Sequence, residues 1–347
     1  MICLDTLNTL PAEDFTATLG TLFEHSPWVA QRAAAARPFA SRLDLLDAMR
    51  AVVRAAPLED QLSLIRAHPQ LGARGRKRQE LTEASSGEQR RAGLDACSDA
   101  QFAELMRLNT EYVGKFDFPF ILAVRGHDPA SILAFMRNRL TNSLEEERLT
   151  ALTQIGLIGG YRLADLVSSS AAAEVLAMQA RMVSNPAPLL REWMLAAGLD
   201  THAGMGFTPM SLPVQVPPIT YFIFGTYVDP TTTSLRRDGS LASLLGVAIA
   251  HALRLKQQPP RFGLLVFPFP DSGRQGSILP DAVTAAHWEH IALPATQINS
   301  LTPVAAAGIT ERCVVIAAPT PGDAPVPLDL NILEHTVTAL ETFLTQS

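Results

Sequence analysis

Apolar side chains recur at intervals of three and four residues through the first 167 positions of the chain, which is the spacing of one face of an α-helix. Ser85 with Glu88, Ser98 with Gln101 and Ser143 with Glu146 have the spacing of a helix-capping box. No alternation of apolar and polar residues, as expected of a strand, competes with these signals. The pattern therefore predicts an all-α helical bundle over residues 1–167.

A different pattern begins after a stretch rich in serine, alanine and proline, residues 168–186, which we interpret as a helical linker. Segments rich in aromatic and β-branched residues then alternate with helical segments: strands are predicted at 219–227, 262–267 and 313–318, and helices at 241–255 and 328–344. Residues 268–303 give few clear signals. Strands that alternate with helices indicate an α/β sheet, so the sequence predicts a second domain of that class over residues 187–347.

Composition limits the kinds of partner that the chain can have. Apolar residues make up 47% and charged residues 18% of its 347 residues, a balance typical of packed globular domains. The formal net charge of −6 gives a nucleic-acid partner no electrostatic support, and no uncharged apolar run reaches the roughly 18 residues of a membrane span. The N-terminal residues lack the basic and apolar segments of a secretory signal. We therefore expect a cytoplasmic protein whose partner is a small molecule, not a nucleic acid or a membrane.

The first candidate for chemistry is the segment His68-Pro69-Gln70-Leu71-Gly72. Because the residue before a proline is restricted away from helical geometry, a helix that opens at Pro57 should end at His68 and leave its imidazole on irregular backbone that can face a cleft. An imidazole with an ordinary pKa of about 6.5 suits proton transfer at neutral pH. The alternative is a histidine that only interacts with the dipole of the helix C-terminus.

The second candidate is the segment Ser85-Ser86-Gly87-Glu88-Gln89. It offers a carboxylate and an amide near the start of a helix, where backbone N–H groups favour an anion. The alternative is purely structural, because Ser85 and Glu88 have the spacing of a capping box.

The third candidate runs from Asn109 and Tyr112 to Lys115-Phe116-Asp117-Phe118-Pro119-Phe120-Ile121. Pro119 has no N–H to donate, which leaves neighbouring backbone groups free to meet a polar ligand. The alternative is an apolar plug between helices.

In this order along the chain, the three segments resemble the 2-oxo-4-hydroxy-4-carboxy-5-ureidoimidazoline decarboxylases (OHCU decarboxylases), which act between urate and allantoin. The resemblance covers about residues 4–167. It extends to two later motifs, Arg139-Leu140-x-Asn142-x-x-x-Glu146 and Ile158-x-x-Tyr161-Arg162-Leu163-x-x-Leu166. One departure is Asp117, where the family usually carries glycine between the two phenylalanines.

The resemblance implies an all-helical bundle, a homodimer, and a decarboxylase that needs no metal or organic cofactor. It assigns catalysis to His68 and Glu88. It assigns substrate binding to six further residues: Arg162, Gln89, Ser85, Pro69, Phe120 and Ile121. The implied reaction is decarboxylation of the ureidoimidazoline to (S)-allantoin in urate degradation, and other enzymes of that pathway are the implied protein partners.

Residues from about 185 to the end resemble a shortened zinc-dependent amidohydrolase of the allantoate amidohydrolase and aminoacylase type. The resemblance is carried by short motifs in the expected order: Leu190-Arg191-Glu192-Trp193-Met194, Gly225-Thr226-Tyr227-Val228-Asp229, Arg237-Asp238-Gly239 and Asp271-Ser272-Gly273. The resemblance implies a truncated α/β domain of that family.

The metal ligands of that family are largely replaced in this chain. Tyr227 stands in place of a metal-binding histidine, and Asp271 and Ser272 stand in place of two glutamates, while Asp238 keeps the bridging aspartate. A two-zinc site needs about four or five ligands and an activating base. His287 and His290 have the spacing to face one side of a helix, although a surface pair is the simpler interpretation. We therefore predict a metal-free domain with a structural role.

Two alternatives to this interpretation remain open. The chain could be bifunctional and also hydrolyse allantoate or a related ureide, which would require zinc. It could instead be a scaffold protein in which both halves have lost catalysis, although the set of His68, Glu88 and Arg162 argues against that.

Overall fold

The protein, described here by a computed structural model, forms two compact units: Ile2–Val167 is one, and Met1 with Ser168–Ser347 is the other. The structure describes residues 1–72, 83–94, 97–181, 187–202, 205–207, 221–224, 241–256, 263–266, 288–292, 313–317, 334 and 337–338. The domain limits drawn from the sequence, 1–167, 168–186 and 187–347, stay a prediction.

The first unit is helical, as the sequence predicts. Its described helices are α1 (Leu4–Thr9), α2 (Ala12–Leu19), α3 (Trp28–Ala33), α4 (Arg42–Ala55), α5 (Leu58–Arg66), α6 (Glu83–Arg91), α7 (Asp99–Phe116), α8 (Pro129–Arg139) and α9 (Leu144–Leu166). Helix α4 packs against α3 and α9, and α7 packs against α8. A short strand β1 (Ile2–Cys3) pairs with β2 (Val167–Ser168).

Local sequence decides where several of these helices begin. Ser98 and Ser143 each accept a hydrogen bond from the backbone N–H three residues further on, and Gln101 and Glu146 return the contact, so both predicted capping boxes are confirmed. The capping box predicted at Ser85 is wrong. Helix α6 includes residues before Ser85, so this serine lies inside the helix and its hydroxyl is used for another contact.

The last helix of this unit, α9, is buried on most of its sides from Ile155 onward. Its glycines let neighbouring side chains approach closely. A Cβ atom on Gly159 would lie 3.0 Å from the ring of Phe23, and Phe23 is itself buried. This packing brings the turn that follows α2 against α9 and leaves Arg162, which lies one turn further along α9, in the interior of the unit.

The second unit combines helices with a mixed sheet. Its described helices are α10 (Ala171–Ala180), α11 (Ala187–Ala196) and α12 (Leu241–Leu255). Its described strands are β3 (Asp200–His202), β4 (Met205–Phe207), β5 (Tyr221–Phe224), β6 (Gly263–Val266), β7 (Trp288–Ala292) and β8 (Cys313–Ala317), in the order β3-β4-β6-β5-β8-β7. Strands β6, β5, β8 and β7 are parallel, and β4 and β3 continue the sheet in antiparallel pairing. Helix α10 packs against α12.

Four of these elements, β5, β6, β8 and α12, lie where the sequence predicts them, and α10 lies within the segment interpreted as a helical linker. The sequence did not predict α11, β3, β4 or β7. Strand β7 is at the edge of the sheet, where a strand can carry polar residues and so lacks the apolar signature of a central strand. His290 belongs to this strand, so the helical interpretation of the His287–His290 pair is wrong for it, and His287 lies outside the described residues. In the part of the chain that the structure describes, no helix combines the length and the apolar character needed to cross a bilayer.

Candidate active site

His68 follows the end of α5 and is 6% exposed. Its Nδ1 atom lies 2.9 Å from the carbonyl oxygen of Leu64. Because a carbonyl oxygen can only accept a hydrogen bond, Nδ1 carries the proton and donates it. The other ring nitrogen, Nε2, then carries a lone pair, and it has no hydrogen-bond partner among the residues that the structure describes. His68 therefore presents a buried proton acceptor.

The surroundings of His68 favour its neutral form. Burial is the largest cause and lowers the pKa of the imidazole from 6.5 to about 4. The carbonyl of Leu64 and the charge of Glu24 raise this pKa in part, while the charges of Arg162 and His25 lower it. At neutral pH the ring is therefore a base and not an acid.

Arg162 is the centre of a buried polar cluster, and its guanidinium donates five hydrogen bonds to described residues. Two go to the carboxylate of Glu88, from Nε at 2.9 Å and from Nη2 at 3.0 Å. Nη1 donates to Glu24 at 2.8 Å and to the carbonyl of Leu22 at 3.4 Å, and Nη2 also donates to the hydroxyl of Ser85 at 3.1 Å. Since an arginine side chain has five N–H groups, every donor of Arg162 has an acceptor.

Two carboxylates share this one guanidinium, and they differ in burial. The side chain of Glu24 is 2% exposed, whereas that of Glu88 is 23% exposed. Burial lowers the pKa of Arg162, but its hydrogen bonds with Glu88 and the charges of Glu88 and Glu24 outweigh burial and leave the pKa raised. Arg162 is therefore a permanent cation inside the unit.

Glu24 is the member of this cluster that the sequence did not predict. It lies in the turn between α2 and α3, and a single glutamate in a turn carries no motif signal. Its contact with Arg162 joins residues 138 positions apart. The only local signal is its place directly after the buried pair Leu22 and Phe23, which predicts the interior more than the solvent.

Gln89 and Asn109 fix the backbone that follows His68. Gln89 accepts a hydrogen bond from the N–H of Gly72 at 3.0 Å and donates one to the carbonyl of Gln70 at 3.3 Å. Asn109 donates to the carbonyl of Leu71 at 3.0 Å. Gly72 has a φ of +76°, which favours glycine, and a Cβ there would lie 2.4 Å from the end of the Leu105 side chain, so a substitution would be strained. Pro69 is half-buried in this same loop.

Phe120 and Ile121 lie in a second buried cluster, around Arg139. The guanidinium of Arg139 lies 4.5 Å from the ring centroid of Phe120 and donates to the carbonyl of Ile121 at 2.6 Å. Arg139 also forms a buried ion pair with Glu147, and the hydroxyl of Tyr112 donates to the same carboxylate. The Ile121 carbonyl thus accepts a hydrogen bond from Arg139, and this cluster fixes the backbone at Phe120 and Ile121.

Asp117 ends α7 in the left-handed conformation, with φ 61° and ψ 26°. Glycine is the residue that adopts this conformation most readily, which explains why the family usually carries it here. Asp117 keeps the turn and adds an ion pair with Arg66, whose Nη2 lies 2.6 Å from the carboxylate. The departure therefore leaves the local turn intact.

A surface cavity of about 390 Å³ reaches Glu24 from the side of α2. It is lined by residues of α2 and of the turn after it: Thr16, Ala17, Gly20, Thr21, Glu24, His25 and Pro27.

The residues that decide metal binding in the second half lie outside the described residues: Tyr227, Asp238, Asp271 and Ser272. Among the residues that are described, no group of three or more histidine, cysteine, aspartate or glutamate side chains is placed to hold a metal ion. The prediction of a metal-free second domain stays a prediction.

The chain is similar to proteins of urate degradation over its first half. A family model described as OHCU decarboxylase matches residues 8–164. A 2-oxo-4-hydroxy-4-carboxy-5-ureidoimidazoline decarboxylase of Haloferax volcanii is 42% identical over 168 residues, which are 48% of this chain and 98% of that protein. The uric acid degradation bifunctional protein PucL of Bacillus subtilis is 40% identical over 168 residues, which are 48% of this chain and 33% of that protein. A crystal structure of (S)-allantoin synthase is 27% identical, with 49% of this chain and 55% of that chain covered and a TM-score of 0.40.

The match to the Haloferax volcanii protein covers nearly the whole of that protein. The region that the family model matches contains His68, Glu88 and Arg162, which the structure places in the helical unit. Through this unit, the chain belongs to the OHCU decarboxylase family.

Proposed function

We propose that the helical unit decarboxylates 2-oxo-4-hydroxy-4-carboxy-5-ureidoimidazoline to (S)-allantoin in urate degradation. One observation carries the proposal. The Nε2 atom of His68 is buried without a partner among the described residues, and the permanent cation of Arg162 is close enough to act on the pKa of this imidazole. A proton acceptor and a guanidinium are the two groups that an anionic substrate with an acidic hydroxyl requires.

The substrate supplies its own electron sink. When the bond between C4 and the carboxylate carbon breaks, carbon dioxide leaves and the electron pair forms a double bond between C4 and C5, while the ring imine nitrogen takes a proton. The C4 hydroxyl then loses its proton and C5 gains one, which gives the C4 carbonyl and the C5–H of allantoin. One proton is taken up from solvent overall, and the ring itself accommodates the electron pair.

His68 is the group that moves the hydroxyl proton. Its Nε2 lone pair accepts the proton from the C4 hydroxyl, while Nδ1 stays bonded to the carbonyl of Leu64, which fixes the tautomer and the orientation of the ring. The resulting imidazolium can return a proton to C5 from one face of the ring. Delivery from a single face gives a single enantiomer of allantoin.

Arg162 binds the anionic part of the substrate, but its donors are all used in the free protein. A substrate carboxylate therefore has to replace one of the acceptors. Glu88 is the more exposed of the two carboxylates, so it is the one that yields. Once released, its carboxylate can accept a hydrogen bond from the ring or from the imidazolium of His68, which fits a catalytic role.

The direct test is formation of chiral allantoin. The unstable ureidoimidazoline is generated in situ from uric acid, and the circular dichroism of allantoin is followed with and without the purified chain. We expect the chain to accelerate formation of the (S) enantiomer well above the spontaneous reaction, which gives a racemate. A rate and an enantiomeric composition equal to those of the spontaneous reaction would refute the proposal.

A homodimer, a cytoplasmic location and association with other enzymes of urate degradation are further proposals that rest on the family. Light scattering coupled to size-exclusion chromatography gives the mass in solution. We expect twice the mass of one chain, and a mass of one chain at micromolar concentration would contradict the dimer.

A further inference from the structure

Glu24 is one of the most buried carboxylates of the helical unit, and it faces the active-site cluster. One of its oxygens accepts a hydrogen bond from Nη1 of Arg162 at 2.8 Å. Both oxygens lie 3.3 Å from the hydroxyl of Ser85, which donates to them. Because a buried carboxylate is costly unless it is paired, Glu24 is held in this one arrangement by its partners.

Substrate binding gives Glu24 a task that Glu88 cannot perform. The guanidinium of Arg162 has no spare donor, so an incoming anion must displace an acceptor. Glu88, at 23% exposure, can turn towards solvent or substrate, whereas Glu24, at 2% exposure, is held by both Arg162 and Ser85. When Glu88 yields, Glu24 remains as the carboxylate that holds Arg162.

The charge of Glu24 also acts on His68. Among the described residues, three charged or titratable groups act on this imidazole: Glu24 and His25 in the turn after α2, and Arg162 on α9. Glu24 is the anion of this set that raises the pKa of His68, while Arg162 and His25 lower it. An anion at this place stabilises the imidazolium that forms when His68 accepts a proton.

We propose that Glu24 is a positioning residue of the decarboxylase, which keeps Arg162 in place while substrate displaces Glu88. The proposal rests on the proposed function, because only an enzyme with an anionic substrate needs the exchange at Arg162.

The test replaces Glu24 by glutamine, which keeps an acceptor for Arg162 and removes the charge. In the full chain, the titration of the His68 ring is followed by NMR with labelled histidine, and kcat and KM are measured with substrate generated in situ. We expect Glu24→Gln to lower the pKa of His68, to raise KM, and to reduce kcat/KM by about 10- to 100-fold, since a misplacement of about 1 Å costs up to about 100-fold.

Glu13→Gln is the matched control, because Glu13 is an exposed glutamate on the adjoining helix α2. It should leave all three quantities unchanged. Should Glu24→Gln fold poorly, Glu24→Asp takes its place, and we expect it to keep a His68 pKa close to that of the wild type while it raises KM, because the charge stays but the reach to Arg162 is shorter. A purely structural role would reduce only the amount of folded enzyme and leave the KM and the His68 pKa at wild-type values.

The outcomes separate this inference from the proposed function. If the wild-type chain is active and Glu24→Gln keeps the wild-type KM and His68 pKa, the role of Glu24 is refuted and the decarboxylase stands. If the wild-type chain does not accelerate decarboxylation, the proposed function fails, and the exchange at Arg162 fails with it, even where the NMR titration still shows that Glu24 influences His68.

Discussion

Burial and hydrogen-bond partners decide the protonation state of single side chains in the helical unit, and His68 is the clearest case. Its Nδ1 carries the proton and donates it to the carbonyl of Leu64, and its Nε2 atom is buried without a partner among the described residues. A buried polar atom without a partner is costly, so its persistence is understandable if a ligand completes it. This state leads to a pH dependence that differs from that of an ordinary histidine.

We expect kcat/KM to stay constant as the pH falls from about 8 to about 5, and to fall only as the pH approaches 4. The reason is that the folded protein binds a proton at His68 only near pH 4, whereas the unfolded chain binds it near 6.5. Because the pKa of His68 is lower in the folded than in the unfolded state, its contribution to the free energy of unfolding is present above pH 6.5. This contribution is lost as the pH falls from 6.5 to 4.

The measurement is a pH–rate profile with circular dichroism of the protein as a check of the fold at each pH. An acid limb with an apparent pKa at or above 6.5 would contradict the buried, neutral imidazole.

Arg162 gives a second test on a single residue. Lysine keeps the charge but lacks the planar fork that now serves two carboxylates and a hydroxyl, so we expect Arg162→Lys to raise KM and to lower kcat/KM by about 100-fold. Steady-state kinetics measure both. Arg125→Lys, at a partly exposed ion pair with Asp165, is the control and should change neither. Equal KM and kcat/KM for Arg162→Lys and the wild type would contradict a role of Arg162 in substrate binding.

At the scale of structural elements, the loop after α5 and the end of α7 show how local geometry supports the site. The loop from His68 to Gly72 is held at three backbone groups by Gln89 and Asn109. In the free protein, both the oxygen and the nitrogen of the Gln89 amide are hydrogen-bonded to this loop. The part in substrate binding that the family resemblance implies for Gln89 therefore acts through the loop.

We therefore expect Gln89→Leu and Asn109→Leu to have the same kind of effect. Each removes the side-chain partner of a buried backbone group, the N–H of Gly72 or the carbonyl of Leu71, which costs about 1–3 kcal/mol of the free energy of unfolding. Each also loosens His68 and lowers kcat. Urea denaturation and kinetics measure the two effects. A change in KM alone for Gln89→Leu, with kcat and stability intact, would show that Gln89 only contacts substrate.

The end of α7 provides a test of the Asp117 departure. Residue 117 has φ 61°, a conformation that costs alanine about 1 kcal/mol more than glycine. Both substitutions lose the exposed ion pair with Arg66, so it cancels from the comparison. We expect Asp117→Gly to be more stable than Asp117→Ala by about 1 kcal/mol in urea denaturation. An alanine variant as stable as the glycine variant would contradict the left-handed turn.

Elements could be predicted from the sequence where the signal is local. The caps at Ser98 and Ser143 and the break before Pro69 depend on residues within four positions of each other, and the structure has them. The spacing of Ser85 to Glu88 also fits a cap, the alternative that the sequence left open, but both residues turn towards Arg162 inside the unit. Spacing alone cannot distinguish a cap from a helix face that meets a distant partner.

The partners of Arg162 could not be predicted as a set. Glu88 lies 74 positions from Arg162 along the chain and Glu24 lies 138 positions from it, so their meeting is a property of how α9 packs against the rest of the unit. The family resemblance supplied Glu88 because it lies in a motif. Glu24 lies in none of the sequence motifs named above, and only the folded chain brings it to the site.

At the scale of the whole molecule, the family match covers the first half of the chain, and the second unit carries a sheet with helices of its own. The replacement of metal ligands at Tyr227 and Ser272 predicts that this unit holds no zinc. We expect purified full-length protein, dialysed without chelator, to contain far less than one zinc ion per chain by mass spectrometry of the metal. Stoichiometric zinc together with hydrolysis of allantoate or a related ureide would contradict a metal-free structural domain and favour a bifunctional enzyme.

Catalysis by His68 is tested most directly by His68→Asn in the complete chain. Asparagine keeps a polar group of similar size but cannot accept a proton at neutral pH. With the ureidoimidazoline generated in situ, we expect His68→Asn to form allantoin at the spontaneous rate and as a racemate, while His127→Asn, at a histidine of the α8 N-terminal region, keeps the wild-type rate and the (S) product. Full rate and full stereoselectivity in His68→Asn would contradict catalysis by this imidazole.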